Sequence, residues 1–162
     1  MFLALHIGGG AGYFPRMIPA SIETAAASGD LTAALAATVA HFGCQAGTIH
    51  LLRDGVLQLA AQKNIPPPVV QIIGTVPVGK GIAGLAAERR EAVTICNLQT
   101  DTSGQARPGA KATGMEGSLA VPMLAGDELR GVLGIAKAEA YDWPEAETAL
   151  LLVIAARLSA LA

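Results

Sequence analysis

Aromatic side chains are scarce in this chain, with three Phe, two Tyr and one Trp among 162 residues. A large flat chromophore is normally enclosed by more ring surface than these can offer, so a pigment carrier is not expected. Charge is thin as well. Only 15% of residues are charged and the net formal charge is −2, which leaves no basic surface to neutralise a run of phosphates, so nucleic acid is not expected as a direct partner. The two cysteines, Cys44 and Cys96, have neither CxxC spacing nor the density of a disulfide-stapled secreted domain, and both read as reduced structural thiols. The most apolar run, 149–156, is shorter than a membrane span and leads into Arg157, while residues 1–7 lack the basic flank and length of a signal peptide. A soluble, cytoplasmic protein with no membrane partner is therefore expected.

Hydrophobic residues are plentiful, at 52%, and the length suits one well-buried domain better than two. Residues 1–29, with a glycine cluster at 8–12 and a candidate short helix at 18–27, read as an N-terminal extension, flexible or briefly helical, ahead of a domain at 30–162. Asp30 is a plausible N-cap for a helix with Leu31, Ala34, Leu35, Val39 and Phe42 on one face, and Gly43 can end it. Apolar runs at 48–52 and 56–60 flank Arg53-Asp54-Gly55, a strong hairpin signal. A second hairpin is expected from 117–124, a turn at 125–127 and 129–138, with Pro122 marking a bulge or an edge. Between them, Pro68 can open a helical turn through Ile73, and 99–116 forms a long polar loop of the kind that carries function or is disordered. The chain ends in a helix, from Glu145 to Leu161, that is apolar almost all round.

Residues 76–98 organise the rest: glycines at 79, 81 and 84 form a tight turn, Ile82, Leu85, Ala86 and Arg89 follow at helical spacing, and 93–96 switches to a β-rich run. Residues 74–80 match seven positions of a phosphate-cradling loop. Gly81 then stands where the metal-binding hydroxyl belongs, Pro77 removes an amide donor, and the preceding 69–73 looks helical rather than extended, so nucleotide hydrolysis is not expected. His41, Cys44 and His50 lie close in sequence but offer no obvious fourth ligand, and no metal or other cofactor is expected.

The stretch VGKGIAG at 78–84, with SLAVPM at 118–123 and GVLGI at 131–135, resembles the GAF domain, a small-molecule sensing and dimerisation module whose members commonly read V-G-x-G-I-A-G, then V-P-[LM] late in one strand, and G-V-L-x-[IL] in the next. The resemblance covers about 31–162. It implies an α+β fold: a central antiparallel sheet with the N- and C-terminal helices on one face, and short helices plus the long loop over a ligand pocket on the other. Within reach of that pocket, position suggests His50, Cys96, Asp101, Thr102, Arg107 and Lys111 as ligand-binding candidates, the last four on a lid.

Several activities of the family are tested by the residues here. Free methionine-R-sulfoxide reductases carry a cysteine inside the glycine-rich turn and another in the following loop, but this chain has Ala83 in the turn and no cysteine in 99–116. One thiol cannot run a two-thiol cycle. Cyclic-nucleotide-binding members carry Asn-Lys, an aromatic and Asp-Glu, for which this chain offers Ala136-Lys137, Trp143 and Glu147-Thr148, leaving Lys137 and Glu147 as a candidate pocket-closing ion pair or as two solvated charges. No local context resembles a bilin or haem site. The reading is a non-catalytic sensor or regulatory module in signal transduction. It would bind an unknown small molecule and signal as a homodimer to a separate output protein, with Leu152, Ala155, Ala156, Ala36 and Ala40 as candidate interface residues. The alternatives are a ligand-free interaction module and, less favoured, a thiol reductase.

Overall fold

Asp54 and Gly55 both adopt positive φ, 51° and 78°, the conformation of a two-residue hairpin turn whose twist matches its strands, and they join β1 (Ala46–Arg53) to β2 (Val56–Lys63). The computed structural model describes residues 17–162, so the glycine cluster at 8–12 lies outside the described residues. A second hairpin joins β5 (Gly117–Ala125) to β6 (Glu128–Lys137), and β1 pairs with β6 to bring the two hairpins side by side. Two three-residue strands, β3 (Thr75–Pro77) and β4 (Val93–Ile95), finish the edges. The result is a six-stranded sheet in the order β3-β2-β1-β6-β5-β4, with every pairing antiparallel. Pro122 is tolerated because β4 reaches only as far as Ala120, and the β5–β6 register slips by one residue at Met123 and Leu124.

One face of the sheet carries three helices, α1 (Ala20–Ala27), α2 (Leu31–His41) and α6 (Glu145–Ser159). Asp30 caps α2, its carboxylate accepting from the Ala33 amide at 3.1 Å. Strand residues of one parity, Ile49, Leu119, Val121, Met123 and Leu133, meet Leu35 of α2 and Leu151, Ile154 and Leu158 of α6 in a fully buried core. Helix α1, the short helix anticipated at 18–27, packs into this core. Its Ile22 is wholly buried, and Glu23 takes a bidentate ion pair from Arg157 of α6, with the shortest contact at 3.0 Å.

The candidate interface residues separate on this geometry. Helix α6 buries Leu151, Ile154, Ala155 and Leu158 at the i, i+3, i+4, i+7 spacing of a single stripe, so Ala155 is core and unavailable to a partner. Ala156 and Ala40 are exposed, and Leu152 and Ala36 are half-buried.

On the other face lie α3 (Pro67–Ile73), α4 (Gly81–Arg89) and the one-turn α5 (Pro108–Lys111), around a smaller cluster that includes Leu57, Ile82, Ala86, Val93 and Val132. The fold is thus α+β, with long helices on one side and short helices with the 99–116 loop on the other.

Candidate functional site

Small residues on the second face of the sheet make room for a void. Ala46, Ser118, Ala120, Gly134 and Ala136 form its floor, where larger side chains would fill the space. Ile72 and Ile73 of α3, the start of α4, and Pro108, Gly109 and Ala110 of α5 partly roof it, leaving a half-open cavity of about 500 Å³. Helices α3 and α5 close on each other without slack, since a Cβ on Gly109 would sit 3.0 Å from the Ile72 side chain. The turn before α4 is equally tight. A Cβ on Gly84 would come within 2.4 Å of the Pro77 carbonyl oxygen, and the Gly79 amide donates to the Gly84 carbonyl at 2.8 Å.

Thr48 and His50 reach the cavity from β1, and Arg107 reaches it from the loop. The His50 imidazole is 2% exposed, and its Nε2 lies 2.8 Å from the Ile73 carbonyl oxygen. A carbonyl can only accept, so the proton sits on Nε2 and Nδ1 presents a lone pair. That Nδ1 is buried and has no protein partner. Burial holds the pKa of His50 below its usual value, with the Ile73 carbonyl opposing the shift, and the ring is neutral near pH 7.

The other sequence candidates lie elsewhere. Asp101, Thr102 and Lys111 are off the cavity wall because the loop uses two of them to fasten itself: the Lys111 ammonium donates to the Asp101 carbonyl at 3.1 Å, and Ser103 donates to the Asp101 carboxylate at 2.8 Å. Gln99 adds bonds to the Lys111 and Met115 carbonyls. Cys96 follows Val93 and Ile95, which point inward, and by strand alternation is exposed. Its contact with Asp142 raises the thiol pKa.

Lys137 and Glu147 do not pair, and neither closes the cavity. Ala136 lines the void, so its neighbour Lys137 turns to the helical face, where it is 8% exposed and donates to the Phe42 and Gly43 carbonyls at 2.7 and 3.4 Å. Its ammonium also sits over the Tyr141 ring, 4.6 Å from the centroid, while Glu147 accepts from the Tyr141 hydroxyl at 2.8 Å. Cys44, near the same cluster, has its thiol pushed up to about 11 by burial, with the Lys137 charge partly offsetting the shift. His41 is exposed at the end of α2, so the three residues considered for metal are spread over both faces of the sheet.

Sequence reasoning missed Lys80, Ser118 and Thr113 on the cavity wall. For Lys80 a signal existed, because a lysine between two glycines ahead of a helix must stand at the helix mouth. It was read only against nucleotide hydrolysis.

A family model described as GAF domain matches residues 26–161. This chain belongs to the GAF domain family. Solved structures share the fold at low identity. The GAF domain of an Acinetobacter phosphoenolpyruvate-protein phosphotransferase superposes with a TM-score of 0.72 at 20% identity, covering 87% of this chain and 89% of that one. The corresponding Coxiella burnetii domain gives 0.69 at 23% identity, covering 87% and 82%. A free methionine-R-sulfoxide reductase from Neisseria meningitidis, solved with its substrate, gives 0.70 at 20% identity, covering 86% and 83%. No match among curated proteins was found by sequence. The GAF fold thus serves both regulatory proteins and enzymes among its structural neighbours, and the fold alone does not choose between them. None of the helices among the described residues is long and apolar enough to cross a membrane.

Proposed function

We propose that this GAF domain is a non-catalytic sensor or regulatory module that binds a small molecule in the cavity and passes occupancy to a separate output protein. The observation that carries the reading is a partly roofed, mostly apolar void with a few convergent polar groups and no thiol on its wall. Reductase chemistry needs an accessible thiolate beside the substrate and a second thiol to resolve it. Cys96 is exposed away from the cavity with a raised pKa, and Cys44 lies on the opposite face, pushed up to about 11. Both observations favour a binding role over turnover.

The long-helix face supplies a route for output. Val153 is 36% exposed on α6, beside the exposed Ala156 and Ala160, and this outer stripe is the surface through which we propose that two copies associate. The functional reading is tested by a thermal-shift screen of small metabolites on wild type and on Ala110→Phe, which plugs the cavity from α5. Ligand-dependent stabilisation that the plug removes supports it. Steady turnover of free methionine sulfoxide in a thioredoxin-coupled assay would replace it with an enzyme.

A further inference from the structure

Strand register fixes which side chains sit beside one another on the cavity floor. Thr48 of β1 lies opposite Gly134 of β6, which lies opposite Ala120 of β5, and the next row on the same face runs Ala46, Ala136, Ser118. Gly134 leaves open space above it. A Cβ there would meet the Thr48 Oγ1 at 3.2 Å, and among the described residues no roof atom lies within 4 Å of it. The Thr48 hydroxyl thus leans over the open floor. Thr48 and Ser118 occupy opposite corners of that floor, two strands and two residues apart, which ordinary strand spacing and rise convert to about 12 Å between their Cα atoms.

Both of these residues are half-buried on the cavity wall, and neither hydroxyl forms a hydrogen bond among the described residues. The other wall hydroxyls differ. Thr113 is engaged by its own loop, donating to the Ala110 carbonyl at 2.6 Å and accepting from the Met115 amide at 3.2 Å, while Thr75 is exposed on an edge strand. Lys80 and Arg107, the charged side chains of the wall, are exposed as well and keep their charge in water. What the floor itself offers is an apolar surface with a neutral, unengaged hydroxyl at either end.

We infer that the cavity selects an uncharged molecule with a hydrogen-bonding group at each end, one meeting Thr48 and the other Ser118, and an apolar body lying across Ala46, Ala120, Gly134 and Ala136. The inference rests on the proposal that the cavity binds a ligand, and it adds the chemical class. A ligand with an apolar end would cover a hydroxyl and leave it unpaired, which a polar end avoids. A charged end would exchange water for one neutral hydroxyl, a poor trade for an ion. Because a hydroxyl both donates and accepts, an alcohol or a carbonyl satisfies either corner.

The test titrates 1,8-octanediol, 1-octanol and suberate, the dicarboxylate of the same length, into wild type, Thr48→Val, Thr48→Ser, Ser118→Ala and Ala110→Phe, with binding read by calorimetry. The expected result is that wild type binds the diol about fivefold more tightly than octanol, and binds suberate more weakly than either. Thr48→Val and Ser118→Ala should each remove most of the diol preference, whereas Thr48→Ser, which keeps the hydroxyl, should retain it. Continued octanol binding shows that these variants are folded. Equal binding of diol and octanol to wild type, both abolished by Ala110→Phe, would overturn the inference and leave the binding cavity standing. So would a diol preference that survives both Thr48→Val and Ser118→Ala. Suberate binding more tightly than the diol would overturn the uncharged class. Binding of no probe would overturn the inference and count against the cavity-binding proposal as well.

Discussion

Replacing Lys137 with Met keeps the apolar stem and removes the ammonium, which isolates the role of the charge. In the native chain the ammonium satisfies the Phe42 and Gly43 carbonyls where α2 ends, and it lies 4.6 Å from the Tyr141 centroid and 5.8 Å from that of Trp143. Hydrogen bonds from a charged donor contribute about 1.5 to 3 kcal/mol, and a desolvated cation–π contact adds about 0.5 to 2. Relief of the ammonium's desolvation offsets part of this sum. A net destabilisation of about 2 to 3 kcal/mol follows, which is roughly 5 to 10 °C in Tm for a domain of this size. Urea unfolding of wild type and Lys137→Met measures it, and a loss below about 0.5 kcal/mol would refute the reasoning. A double-mutant cycle with Glu147→Gln adds a sharper check. The geometry predicts coupling under about 1 kcal/mol, and a value of about 2 or more would restore the ion pair that the structure separates.

Three further outcomes are expected. The depressed pKa of His50 means that the unfolded chain binds a proton that the folded chain does not, so stability should fall as pH drops below the usual histidine value of 6.5, with a slope of at most about 1.4 kcal/mol per pH unit. His50→Gln should flatten that slope in urea titrations at several pH values. Gly84→Ala should destabilise by about 1 to 3 kcal/mol, because its Cβ would sit 2.4 Å from the Pro77 oxygen, and an unaltered unfolding midpoint would contradict the packing described. Val153→Glu should yield a folded monomer by sedimentation if the outer stripe of α6 joins two copies, and a wild type already monomeric at micromolar concentration would remove that proposal.

What could be read from the sequence was mainly what local chemistry decides. The Asp54-Gly55 turn, the Asp30 cap and the alternating strands each carry their signal within a few residues, and both hairpins and the helix of 31–41 formed where the spacing put them. Strand β3 was not legible, because Thr75-Val76-Pro77 extends only by pairing with β2, a tertiary contact that a proline and neighbouring glycines disguise as a turn. The burial of Ala155, named among the interface candidates, was not legible for a related reason. A helix that is apolar all round offers no contrast, and which alanines face inward is set by the sheet beneath them. At the site, strand alternation located His50, while the loop candidates depended on how 99–116 folds on itself, which bonds to Asp101 and Lys111 determine. The same alternation that put Ala136 on the cavity wall could have warned that Lys137 faces the other way.

The central claim is that the void between the sheet and the α3–α5 roof receives a small molecule. An amide chemical-shift map tests it most directly, with uniformly labelled protein titrated with cyclohexanol as a small amphipathic probe. The account predicts saturable shifts confined to cavity residues such as Ala110, Ala120 and Ala136, lost in Ala110→Phe. Shifts confined to α2 and α6, or no saturable shift at any attainable concentration, would contradict it.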